Sequence, residues 1–258
     1  MLRILRTRLS LGHRTAPLPK PGEQPVAEGF RGLPVLSPGR CFEGCRACEE
    51  ACPVSAIRCG EGGPRLDLGT CLFCPECERA CPNGCIGFSR EHRLAATRRE
   101  DLVIGPGSGP PPVKPLEGEL KSLFSRSLKL RQVSAGGCNG CEAELIVTGT
   151  LVFDFPRFGV QFVASPRHAD ALVVTGPVSK NMLVALEKSY AALPPPKLVI
   201  ACGACAIGGG PFRGSPEAHD GVGSILPVDL WIPGCPPHPW TIVDGILRLM
   251  GVLEGSNG

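Results

Sequence analysis

Two runs of four cysteines, each closed by Cys-Pro, constrain this chain more than any other feature. The first is Cys41-Phe-Glu-Gly-Cys45-Arg-Ala-Cys48-Glu-Glu-Ala-Cys52-Pro53, followed by Ala56-Ile57. The second is Cys71-Leu-Phe-Cys74-Pro-Glu-Cys77-Glu-Arg-Ala-Cys81-Pro82, followed by Cys85-Ile86. The second run has the spacing C-x2-C-x2-C-x3-C-P of cubane iron–sulfur ligation. Spacings of two let consecutive thiolates wrap one corner of a cube, while the fourth cysteine reaches the other cluster. The two copies are therefore expected to exchange ligands. One 4Fe-4S cluster takes Cys41, Cys45, Cys48 and Cys81; the other takes Cys71, Cys74, Cys77 and Cys52. The first copy departs from the pattern by one residue. Counting back from Pro53, its first cysteine is due at Phe42, and Cys41 stands one position earlier. A loop one residue longer still ligates, with Gly44 absorbing the bend. Zinc is the competing reading, but zinc sites pair C-x2-4-C units across a longer gap and need no trailing proline. A reactive-disulfide motif occurs singly. Neither copy has enough apolar residues to fold on its own core, so metal must supply much of the stability.

The chain holds 15 cysteines, ten between Cys41 and Cys85 and five between Cys138 and Cys235. The odd number and uneven spread argue against a closed secreted disulfide framework. A net charge of +3 and 5% aromatic residues leave no footprint for nucleic acid. No apolar run approaches the roughly 18–20 residues of a transmembrane helix. Met1 to Lys20 carries Arg3, Arg6, Arg8, Arg14 and Lys20 with no acid before Glu23, and Leu2, Leu5 and Leu9 share a helical face. Such a segment can lie on an anionic membrane or on a partner; a frayed terminus and a transit peptide are the other readings.

Gly105-Pro106-Gly107-Ser108-Gly109-Pro110-Pro111-Pro112, extended by Pro115, separates the two cysteine zones and reads as a semi-rigid linker. Beyond it, strand-like and helix-like segments alternate. Leu128–Val133, Ala171–Val174, Lys197–Ile200 and Val228–Ile232 read as strands. Met182–Leu193 and a segment opening at Pro239 read as helices. That alternation predicts a parallel sheet with helices on its faces, and sites beyond the carboxyl ends of its strands. Four thiolates from three loops, Cys138 and Cys141, Cys205, and Cys235, can meet there around a third cluster. Cys202 competes with Cys205. The glycines around these cysteines let backbone N–H groups approach sulfur. Glu144 and His238 are candidate proton-relay groups, against plainer roles as a surface or capping carboxylate and a helix-start histidine. The Gly208–Gly210 run comes with no phosphate-loop or dinucleotide motif. Cys59, Cys85 and Cys202 remain as small buried hydrophobes.

Residues 1–100 resemble two-cluster ferredoxin modules, most closely the iron–sulfur subunits of formate hydrogenlyase and the matching subunit of respiratory complex I. Phe30-Arg31-Gly32-Leu33-Pro34 matches the Arg-Gly-x-Pro those subunits carry before the first cysteine. Residues 120–253 resemble the small subunit of energy-converting nickel-iron hydrogenases and the complex I subunit that holds the last cluster before quinone. The carrying segments are Gly137-Cys138-Asn139-Gly140-Cys141-Glu142, Ala164-Ser165-Pro166-Arg167-His168-Ala169-Asp170, Val174-Thr175-Gly176-Pro177-Val178, Gly203-Ala204-Cys205-Ala206 and Pro233-Gly234-Cys235-Pro236-Pro237. The family's Gly-Ala-Cys-Ala segment falls on Cys205, which favours it over Cys202. The quinone-type subunit has two adjacent cysteines at the first ligand position; Cys138-x-x-Cys141 follows the hydrogenase pattern.

The resemblance implies an α+β ferredoxin-like two-cluster domain over 1–100, including the basic N-terminal segment, a linker over 101–119, and an α/β flavodoxin-like parallel-sheet domain over 120–258. It implies an electron-transfer subunit with three 4Fe-4S clusters and no catalytic residue of its own. Its partners are a catalytic large subunit that holds any nickel, membrane-embedded subunits, and a redox donor or acceptor protein. Its place is peripheral, on the cytoplasmic side of the cell membrane. A complex I-like reductase of quinone or another acceptor, lacking nickel, is the nearest rival; a metal-stabilised assembly module is the rival from another class.

Overall fold

The computed structural model describes residues 2–12, 15–19, 23, 26–37, 39, 41–42 and 44–253; Arg14 and Lys20 of the basic segment lie outside them. In the first half the elements are α1 (Leu2–Leu11), β1 (Pro34–Leu36), α2 (Ala47–Glu50), β2 (Ile57–Gly60), β3 (Gly63–Asp67), α3 (Glu76–Ala80), β4 (Ile86–Phe88) and β5 (Val103–Ile104). The sequence repeat is also a structural one. Each four-cysteine run places its third cysteine in a short helix, Cys48 in α2 and Cys77 in α3. Each then enters a strand on a buried isoleucine, Ile57 in β2 and Ile86 in β4. These strands pair antiparallel, Ile57 opposite Leu66 in β3 and Ile86 opposite Leu36 in β1. In β3, Pro64 and Leu66 point inward and Arg65 outward, the period-two alternation of a half-covered strand.

The second half comprises α4 (Gly118–Phe124), β6 (Leu128–Ser134), α5 (Gly140–Thr148), β7 (Val160–Phe162), β8 (Ala171–Thr175), α6 (Lys180–Ala192), β9 (Leu198–Cys202), α7 (Ala204–Gly208), β10 (Leu230–Ile232) and α8 (Pro239–Leu249). Its five strands form one sheet in the order β10-β9-β8-β6-β7, every pair parallel. Read from the β7 edge in chain order, this is 2-1-3-4-5, the flavodoxin-like order, with its switch point between β6 and β8. β8 and β9 are buried at every position, as strands covered on both faces must be, and their sequences are nearly unbroken apolar runs. β10 opens at Leu230, two residues later than its hydrophobicity suggests. The reason is Asp229, whose carboxylate accepts the Val199 N–H at 2.8 Å and takes the place of a ladder bond.

The two halves share a core. Ile57, Leu66 and Ile86 belong to the same buried cluster as Leu172, Val174 and Val199. Ala96 also bridges to Trp231 at the edge of the sheet, with N–H···O distances of 3.0 and 2.8 Å. The proline-rich stretch is tied down as well. Arg248 donates to the Pro111 carbonyl at 3.2 Å, Leu116 N–H to the Leu249 carbonyl at 2.8 Å, and Val113 and Leu116 are buried.

Helix α8 is buried along its whole length, charged residues included. Arg248 Nε donates to Asp244 Oδ2 at 2.8 Å, both side chains being 8% exposed. Burial pushes the Asp244 carboxyl up, and the guanidinium pulls it partly back. Breaking such a pair on one side leaves a buried charge uncompensated, at about 3–5 kcal/mol. Arg248→Leu is therefore expected to lower the stability of the metal-loaded chain by about that amount, and the double change Arg248→Leu with Asp244→Leu to recover most of it. Thermal unfolding of the three proteins checks this; equal loss in the single and double variants would show that packing rather than charge holds α8.

Candidate metal centres

The first set of thiols surrounds one cavity. Cys41, Cys45 and Cys48 line it from the first run, and Cys81 and Cys85 from the second. The displaced Cys41 is brought in beside a left-handed turn, Gly44 taking φ +81°. Burial pushes the Cys48 thiol up to about 12, reinforced by Cys59, whose Sγ lies 3.5 Å from that of Cys48. Cys81 behaves differently. Burial pushes it up, but N–H groups of Cys85, Asn83 and Ile86 outweigh that and hold it below the ordinary thiol range. The Cys85 N–H to Cys81 Sγ distance is 3.1 Å.

The second set contains Cys71, Cys74, Cys77 and, from the first run, Cys52. The charge of Cys52 acts on both Cys71 and Cys77. Burial pushes Cys71 up to about 12 and Cys77 up to about 11. Ala56 N–H donates to Cys52 Sγ at 3.2 Å, the same four-residue reach that Cys85 makes to Cys81. Phe73 N–H donates to Cys71 Sγ at 3.3 Å. The turn presenting Cys71 is pinned by Asp67. Its carbonyl accepts the Cys71 N–H at 3.0 Å, and its carboxylate takes a fork from Arg99 at 2.7 and 2.6 Å plus the Thr70 hydroxyl.

The third set sits beyond the carboxyl ends of the parallel strands. Cys138 and Cys141 follow β6, Cys205 follows β9 and Cys235 follows β10. Cys141 lies inside the first turn of α5 rather than in an open glycine turn, and Cys205 lies in α7. Burial raises Cys205 to about 11, helped by the charges of Cys235 and Cys138. Burial also pushes Cys141 far up, with Cys202, Glu142, Cys205 and Cys235 all acting on it. Cys205 thus reaches three other members of the set. Cys202 is fully buried at the end of β9 among core residues and couples to Cys141. Gly203, at φ +94°, stands between them; a Cβ there would fall 2.4 Å from Cys141 Sγ.

The carboxylate turned into this site is Glu142, not Glu144. Glu142 is 5% exposed, and its Oε1 accepts the Ser134 hydroxyl at 2.6 Å and the Thr175 hydroxyl at 2.7 Å. Those residues end β6 and β8, so the bonds tie the start of α5 to the switch point. Burial pushes Glu142 up, but the two hydroxyls outweigh it and keep the carboxylate low. Glu144 is simply pushed up by burial. His238 caps α8: its Nδ1 accepts the Trp240 N–H at 3.1 Å, while Phe30 and Phe153 meet its ring edge-on at 5.2 and 6.5 Å. Burial lowers its pKa, which suits the neutral, accepting ring.

The second and third sets are neighbours. Cys74, Phe73, Cys235, Pro236 and His238 line one cleft, and the charge of Cys74 acts on Cys235. Sets of four soft thiolate donors, with N–H groups aimed at sulfur, suit iron–sulfur clusters. Among the described residues no three His, Cys, Asp or Glu side chains close on a single-ion point. Because burial pushes up Cys48, Cys71, Cys77, Cys141, Cys205 and Cys235, loading metal there must release protons, and ligation becomes part of the folding free energy.

The family described as "NADH ubiquinone oxidoreductase, 20 Kd subunit" matches residues 138–249. The probable membrane-bound hydrogenase subunit mbhJ of Pyrococcus furiosus is 45% identical over 142 residues, covering 54% of this chain and 85% of that protein. An NADH-quinone oxidoreductase subunit of Heliobacterium modesticaldum is 40% identical over 153 residues, covering 54% of this chain and 87% of that protein. Formate hydrogenlyase subunit 7 of Escherichia coli is 40% identical over 139 residues, and the match spans 54% of each chain.

The third site yields two tests. Gly203→Ala is expected to displace Cys141 and remove about four irons from the loaded chain, one cubane's worth, while the other two sets keep theirs. Cys205→Ser is expected to remove one reduced-state EPR signal, and Cys202→Ser to leave every signal in place. The reverse outcome would exchange the roles of Cys202 and Cys205.

Proposed function

This chain belongs to the family of the 20 kDa subunit of NADH ubiquinone oxidoreductase, and from that premise we propose that it is the electron-transfer subunit of a membrane-associated, energy-converting nickel-iron hydrogenase or formate hydrogenlyase-like complex. Cys41, Cys45, Cys48 and Cys81 hold one 4Fe-4S cluster in a ferredoxin-like unit, and Cys71, Cys74, Cys77 and Cys52 hold another. Cys138, Cys141, Cys205 and Cys235 hold a third in the flavodoxin-like unit. When bound, these clusters supply reversible one-electron transfer. The protein's own contribution is burial, exclusion of water and N–H bonds to sulfur, which set cluster potentials.

The cleft lined by both Cys74 and Cys235 supports this reading. It puts the set around Cys71 next to the set around Cys138, and the exchange of Cys52 and Cys81 links that middle set to the one around Cys41. The three sets therefore form a line with two ends. The Cys41 end serves a redox donor or acceptor protein. The Cys138 end faces a catalytic large subunit, where any nickel resides. No helix among the described residues is long and apolar enough to cross a membrane; membrane-embedded partners and a peripheral position on the cytoplasmic side are further parts of the proposal. Cys138-x-x-Cys141 favours the hydrogenase form. The similarity to an NADH-quinone oxidoreductase subunit keeps a nickel-free relative, reducing quinone or another acceptor, as the second reading.

Iron and acid-labile sulfide analysis with EPR of the reduced protein tests the proposal. About twelve irons per chain and three paramagnetic centres are expected from three cubanes. Stoichiometric zinc with no paramagnetic reduced state would instead make the chain a metal-stabilised assembly module.

A further inference from the structure

Helix α1 is exposed along its whole length, Ile4 and Leu11 at 73% and 50% included. Leu2, Leu5 and Leu9 are 83%, 57% and 84% exposed. At 100° per residue they share one face, opposite the face of Ile4, Thr7 and Leu11. That second face, with Arg3 and Arg8 at its two edges, borders a groove closed on the other side by Leu151 and Asp154. The segment after α1 is anchored there: Ala16 N–H donates to the Val152 carbonyl at 2.8 Å, and Arg157 to the Ala16 carbonyl at 2.8 Å. Thr7 and Ser10 spend their hydroxyls on carbonyls within the helix, Arg3 and Thr7 respectively. The outward stripe is therefore apolar, and it is flanked by Arg6 on one side and Arg8 on the other. Arg3 adds a third positive charge, and α1 contains no acid.

We propose that α1 docks this chain on an anionic lipid surface, lying in the plane of the interface with Leu2, Leu5 and Leu9 inserted, Arg6 and Arg8 at the headgroups, and Arg3 adding to the positive charge behind them. This rests on the membrane association proposed above and names its contact. Ten residues of helix span about 15 Å, half of a hydrocarbon core of about 30 Å, so the helix lies flat rather than crossing. Three leucines on one edge with arginines beside them make an interfacial helix, held by apolar insertion and by attraction to negative headgroups. Charge selects the occupant: a helix whose only charged side chains are arginines complements an anionic surface and gains nothing from a zwitterionic one.

The test is co-sedimentation of the cluster-loaded full chain with phosphatidylcholine vesicles, with and without one part in three phosphatidylglycerol. Binding is expected only to the anionic vesicles and weakens as salt rises. R3Q/R6Q/R8Q and L2Q/L5Q/L9Q are each expected to cut that binding at least tenfold, with EPR signals and iron content unchanged. Equal binding to both vesicle types, no binding to either, or triple variants that bind like the parent would overturn the proposal. So would loss of a catalytic-subunit complex, rather than of vesicles, in L2Q/L5Q/L9Q. Missing EPR signals in the parent would instead count against the electron-transfer reading, so the two failures are distinguishable.

Discussion

A buried thiol resists giving up its proton, and most of the chemistry of this chain depends on that fact. Cys48, Cys71, Cys77, Cys141 and Cys205 are all pushed above the ordinary thiol range by burial. A bound cation makes thiolates stable in such places. The small elements around Cys41–Cys85 offer little core of their own: α2 has four residues, α3 has five, and β1 and β4 have three each. Packing against the parallel sheet supplies part of what those elements lack, and in the proposed reading metal ligation supplies the rest. The shared core, the Ala96 to Trp231 bridge and the Arg248 contact to Pro111 make that packing specific.

The parallel sheet supplies the other half of the design. Loops leaving β6, β9 and β10 all emerge at the same end, so cysteines about 100 residues apart in sequence arrive at one site. Close approach is achieved by removing side chains, as at Gly203, and by polar residues that end the strands. Ser134 and Thr175 hold Glu142, which fixes the orientation of the helix carrying Cys141. The cleft shared by Cys74 and Cys235 then joins this site to the four-cysteine runs.

What the sequence made legible follows the range of the interaction. Spacing within each run suggested the sets around Cys41 and Cys71, and in the fold Cys81 lines the cavity of the first set while the charge of Cys52 acts on the second. Apolar runs marked β6, β8, β9 and β10 and the start of α8 at Pro239. Other features had no local signal. Glu142 was passed over for Glu144 because its partners lie 8 and 33 residues away. Asp229 shortens β10 through a side-chain bond across 30 residues. The glycines of Gly137–Glu142 suggested a turn, whereas the helix Gly140–Thr148 begins within that segment and is stabilised by packing against α8. His238 stood out for its place near Cys235, and its task is to cap a helix.

The central claim is that the three cysteine sets form a line with the Cys71 set in the middle. Magnetic interaction between reduced clusters, read by EPR of the loaded chain, tests it most directly. The signal assigned to the Cys138 set is expected to be broadened by its neighbour. It should sharpen when Cys71 and Cys77 are both changed to Ala, and stay broadened when Cys45 and Cys48 are changed instead. A signal that ignores the loss of the Cys71 set, or that responds to the loss of the Cys41 set, would contradict the order drawn here.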